Sequence, residues 1–73
     1  VLFKVITAAK TGAIVKQADP GGKLKIRTVF IPAGTILDVY GFAHDKETRL
    51  VVCNKQISKT LFTVSVNDCE PLQ

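Results

Sequence analysis

The chain has 73 residues, with ten Lys or Arg against six Asp or Glu for a net charge of +4, and its pI is near 9.3. That length holds one domain, so residues 1–73 are expected to fold as a single unit around a small core. Apolar residues make up 47% and run through the whole chain, which excludes a disordered segment. The longest uncharged stretch, Thr28 to Leu37, contains Pro32 and Gly34 and is too short to span a bilayer as a helix, so no membrane partner is expected.

The apolar runs are rich in Val, Ile, Thr and Phe, which suit a pleated strand. No stretch keeps a 3.6-residue period over a helix length. The first run is Leu2 to Thr7, with Phe3 and Val5 inward and Lys4 in water. Ala13 to Gln17 reads as a second strand, and Asp19-Pro20-Gly21-Gly22 as a tight turn. Proline presets φ in such a turn and glycine supplies the positive φ that follows. Leu24 to Ile31 alternates next, with Leu24, Ile26, Thr28 and Phe30 expected inward. Lys25, Arg27, Val29 and Ile31 are expected outward, so that face turns apolar at its far end. Pro32 to Thr35 is a turn into Ile36 to Phe42, where Leu37 and Val39 point inward and Gly41 permits a bulge. After a polar turn at His44 to Glu47, Thr48 to Asn54 places Leu50 and Val52 inside and Arg49, Val51 and Cys53 outside. Leu61 to Asn67 is the last expected strand, with Phe62, Val64 and Val66 inside, and a turn and tail end the chain. Five to six short, mostly antiparallel strands with frequent turns predict an all-β fold closed as a small barrel, because closure removes exposed edges.

Two stretches carry a resemblance. Ile31-Pro32-Ala33-Gly34-Thr35-Ile36-Leu37-Asp38-Val39 is similar to a turn entering a barrel strand. Thr63-Val64-Ser65-Val66-Asn67-Asp68-Cys69-Glu70-Pro71-Leu72 is similar to the strand, short turn and terminal Glu-Pro that end many SH3-like small barrels. Together they cover about a quarter of the chain, and the resemblance implies an SH3-like architecture without implying a function. The aromatic pair with which SH3 domains grip proline-rich peptides is not apparent.

Catalytic chemistry finds little support. His44 is the sole histidine, and its neighbour Asp45 lies beside it in a turn, where adjacent residues do not hold acid–base geometry. Cys53 has Lys55 close in sequence, but the only histidine lies across another turn, so a buried or half-buried strand cysteine is expected, and Cys69 sits between Asp68 and Glu70, whose charges disfavour a thiolate. Two distant cysteines and one histidine do not make a zinc site, and Asp45 with Glu47 are too few for calcium. Gly21-Gly22-Lys23 lacks the Walker pattern and a following helix. No metal, cofactor or enzyme activity is therefore expected. Free thiols in a cytoplasmic protein are the expectation, and the alternative is a secreted protein with a Cys53–Cys69 disulfide.

The basic residues point to binding. Lys16, Lys23, Lys25 and Arg27 lie on two strands joined by the Asp19–Gly22 turn, and a hairpin is expected to present them as one positive face extended by Arg49 and Tyr40. The first expectation is a non-catalytic module that contacts nucleic acid there, mainly through phosphates. The second is a protein–protein interaction domain (adaptor, inhibitor or assembly subunit) that uses a strand edge and the outward residues Val29, Ile31, Val51 and Leu61. Self-association is its simplest form.

Overall fold

The computed structural model describes residues 2–43 and 46–72, and the expected turn residues His44 and Asp45 lie outside them. Its strands are β1 (Phe3–Thr7), β2 (Thr11–Ala18), β3 (Leu24–Ile31), β4 (Ile36–Ala43), β5 (Lys46–Cys53), β6 (Phe62–Ser65) and β7 (Cys69–Pro71). A 3-10 turn, Val66–Asp68, separates β6 from β7. All seven strands pair antiparallel in one sheet of order β3-β2-β6-β5-β4-β1-β7. Among the described residues no ladder joins β3 to β7, so the sheet has two ends where a closed barrel was expected. The additional strand is the expected tail, since Cys69 to Pro71 return to pair with Thr7 to Val5.

One face of the sheet carries the core. Val5, Ala13, Val15, Ile31, Leu37, Val39, Leu50, Val52, Phe62 and Val64 form one buried cluster, with Val29, Ile57, Val66 and Cys69 packed against it. Strict alternation produces this on β4, β5 and β6, where successive side chains take opposite sides. Leu37 and Val39 flank Asp38, Leu50 and Val52 flank Val51, and Phe62 and Val64 flank Thr63, as their sequence pattern predicts. On β4 the ladder shifts register between Val39 and Gly41, which makes Tyr40 the extra residue of a bulge beside Gly41.

Strand β3 is reversed relative to the sequence reading. Leu24, Ile26 and Phe30 are exposed, whereas Ile31 is buried and Val29 half-buried. Ile31 therefore belongs to the core and not to an outer surface, and Val29 packs on the same cluster. The cause is the register with β2. Thr11 pairs with Ile31 and Ala13 with Val29, and paired residues share a face. The buried β2 residues Thr11, Ala13 and Val15 thus carry Ile31, Val29 and Arg27 to the inner side.

Two turns hold the strands. At the hairpin tip the Asp19 carboxylate accepts a hydrogen bond from Lys23 N at 2.8 Å, and Gly22 takes φ +82°. At the β3–β4 turn Thr7 is the organiser. Its hydroxyl donates to Pro32 O at 2.8 Å and accepts from Thr35 N at 2.9 Å, while Gly34 N donates to Thr7 O at 2.8 Å.

Candidate functional site

The six residues expected to form one basic face are spread over both sides of the sheet. Lys16 pairs with Ile26 on the outer side, whereas Lys25 pairs with Gln17 and Arg27 with Val15 on the inner side. Lys23 lies at the hairpin tip and is exposed. Tyr40 is exposed on β4, with β5 and β6 between that strand and β2. Arg49 is half-buried and occupied internally. It donates to Thr63 Oγ1 at 3.1 Å, to Thr63 O at 2.8 Å and to Gly12 O at 3.2 Å. Its guanidinium thereby bridges β5, β6 and β2, a structural use of the fork rather than a display of charge.

The structure assembles a different basic site. A cleft of about 430 Å³ lies between the β2–β3 hairpin and the connection of residues 54–61. Arg27 contributes from the hairpin, and Lys55 and Lys59 from the connection. Gln17, Ser58 and Thr60 add neutral donors, and Val15 and Ile57 are its apolar lining residues. No carboxylate lines it among the described residues. Lys25 stands opposite Gln17, next to the cleft.

Local hydrogen bonds shape the connection. Asn54 Oδ1 accepts from Gln56 N at 2.9 Å, and Asn54 O accepts from Ile57 N and Ser58 N at 2.9 and 3.0 Å. Asn54 Nδ2 donates to Ile36 O at 3.0 Å, which ties this loop to β4. The Ser58 and Thr60 hydroxyls lie 3.2 Å apart in hydrogen-bond contact. Such Asx-type capping fixes the backbone that carries Lys55 and Lys59. The sequence reading left these two lysines out of the basic face because they lie far along the chain from Arg27. The available signal was the run Lys55-Gln56-Ile57-Ser58-Lys59-Thr60, two cations interleaved with hydroxyls and free of acids.

The outer side holds a shallow depression of about 110 Å³, lined by Ile14, Lys16, Val51, Leu61, Phe62 and Thr63. Of the four residues expected at a protein interface, Val51 and Leu61 meet there and Val29 and Ile31 do not. Both thiols are free. Cys53 pairs with Asp38 on the outer side and Cys69 with Thr7 on the inner side, with β4 and β1 between their strands. Burial, and secondarily the Asp68 carboxylate, push the Cys69 thiol above its ordinary pKa, which suits packing and not nucleophilic attack. Among the described residues there is no cluster of three or more His, Cys, Asp or Glu placed to hold a metal ion, and no helix is long and apolar enough to cross a membrane. No protein-family model, curated protein or solved structure matches this chain.

Proposed function

We propose that this protein is a non-catalytic binding module that holds a nucleic-acid strand by its phosphates in the cleft between the β2–β3 hairpin and the 54–61 connection. The observation that carries this reading is the convergence of Arg27, Lys55 and Lys59 from two separate elements onto one cleft with no lining carboxylate. Like charges brought together repel one another, and an anion entering the cleft relieves that repulsion. Arg27 supplies a planar fork suited to a phosphate, the two lysines supply point charges, and Ser58 and Thr60 supply hydroxyl donors. These are backbone contacts and read no sequence. Tyr40 and Arg49 have no part in this narrower site, and Lys25 extends it at the rim. An SH3-like architecture is supported by the element order: one strand, a long hairpin, three further strands, a 3-10 turn, and a short last strand back on the first.

The test is fluorescence anisotropy with a labelled random-sequence single-stranded oligonucleotide over a range of salt. Neutralising three to four phosphates predicts a slope of log K against log salt of about −2 to −3. Lys55→Glu and Lys59→Glu lie outside every strand and are expected to weaken binding about ten-fold each. Lys16→Glu, on the other side of the sheet, is expected to change it little. Binding that ignores the first two substitutions removes the cleft as the site.

A further inference from the structure

The strand at the end of the sheet, β3, has an uncommon combination of features. It is eight residues long, it ends the sheet, and Leu24, Ile26 and Phe30 remain exposed along it. Natural edge strands are usually short, bulged or shielded by charge. Its neighbour register shows which backbone groups are open. Asp19 N donates to Lys23 O at 2.9 Å, so Asp19 and Lys23 form a hydrogen-bonded pair. The β2–β3 ladder continues from it without a register shift. Hydrogen-bonded and non-hydrogen-bonded pairs alternate in an antiparallel ladder. Lys25, Arg27, Val29 and Ile31 therefore turn their N–H and C=O groups to β2. Leu24, Ile26, Thr28 and Phe30 turn theirs to the open edge. The same alternation directs Gly12 O away from β3, and that carbonyl is the one Arg49 Nη2 meets at 3.2 Å.

We infer that β3 is a docking edge for an extended segment of another protein that alternates apolar with acidic residues and adds to the sheet as an antiparallel strand. The free backbone groups of Leu24, Ile26, Thr28 and Phe30 form the ladder. On the outer side their side chains meet the apolar residues of the added strand. On the inner side Lys25 and Arg27 stand in non-hydrogen-bonded positions, where cross-strand side chains approach most closely, and they meet its carboxylates. Charge chooses the occupant. A second copy of β3 in the fully overlapping antiparallel register would set Arg27 against Arg27 and leave Lys25 without an anionic partner, which disfavours self-pairing, whereas an acidic strand offers both cations a carboxylate. This surface is distinct from the cleft, although Arg27 borders both.

The probe is a peptide of about ten residues alternating valine and glutamate, compared with the same composition in block order and with the oligonucleotide. Amide hydrogen exchange on the unaltered protein is the first readout. Peptide addition is expected to slow exchange at Leu24, Ile26, Thr28 and Phe30, with little change at Lys25 and Arg27, whose N–H groups are already in the β2 ladder. Thr28→Pro removes one outward N–H, a place where an edge strand accepts proline. It is expected to weaken the alternating peptide by about ten-fold or more and to spare oligonucleotide binding. Arg27→Glu is expected to weaken both ligands. Equal binding of the block peptide, or protection confined to residues outside β3, overturns the docking edge and leaves the cleft reading standing. Loss of oligonucleotide binding in the Lys55 and Lys59 variants leaves the docking edge unaffected.

Discussion

Thr7 and Thr11 are each 2% exposed, and replacement by valine is expected to shift stability in opposite directions at the two sites. The Thr11 hydroxyl is buried with no hydrogen-bond partner among the described residues. An unsatisfied buried hydroxyl costs about 1–3 kcal/mol, and valine keeps nearly the same shape while removing it. Thr11→Val is therefore expected to stabilise the fold by about 1 kcal/mol. The Thr7 hydroxyl donates to Pro32 O at 2.8 Å and accepts from Thr35 N at 2.9 Å. Pro32 O keeps a second donor in the Thr35 hydroxyl at 2.8 Å, so the group orphaned by Thr7→Val is Thr35 N. One orphaned amide with two lost bonds predicts a loss of about 2 kcal/mol. In a domain of this size each kcal/mol moves the Tm by roughly 4–8 °C, which places the two variants well apart. Thermal and urea unfolding followed by circular dichroism measures both. A loss at Thr11→Val as large as that at Thr7→Val would refute the reasoning, because it would mean that the Thr11 hydroxyl is bonded in solution.

Three further expectations follow from single residues. Arg49→Lys keeps the charge but cannot span Thr63 and Gly12 with three bonds, and urea unfolding should show a loss of about 1–2 kcal/mol. Gly34 has φ +88° with open space where a Cβ would stand, so Gly34→Ala should cost about 1–2 kcal/mol from backbone strain alone, with Gly34→Asn losing less in the same unfolding assay. The raised Cys69 pKa favours the protonated thiol in the folded state. Its contribution is present below the unfolded thiol pKa of about 8.5 and is lost as pH rises through the higher folded value. In a Cys53→Ser background, alkylation of the native protein should reach its half-maximal rate at a higher pH than alkylation in urea, and coincident profiles would contradict the burial of this thiol.

The strands and most of the core were legible in the sequence because the pattern there is one-sided. On β4 and β6 a polar residue, Asp38 or Thr63, separates the core pair, so period two assigns the inner face without reference to a neighbour. Strand β3 was illegible for the opposite reason. Leu24, Ile26 and Phe30 alternate with Val29 and Ile31, both faces carry apolar residues, and a one-residue change of register inverts the assignment. Only pairing with β2 decided that Ile31 joins the core and that Ile26 and Phe30 face water. The candidate site divides similarly. Local composition marked the hairpin as basic and its tip as a turn, since the Asp19 carboxylate accepts from a backbone N–H four residues on and Gly22 supplies a positive φ, both within the turn itself. The meeting of Arg27 with Lys55 and Lys59 was decided by strand order: β6 lies beside β2, so the connection leading into β6 reaches the hairpin. Alternation is a property of neighbours along the chain and can be read from it, whereas register and strand order depend on contacts between distant segments and exist only once the sheet has formed.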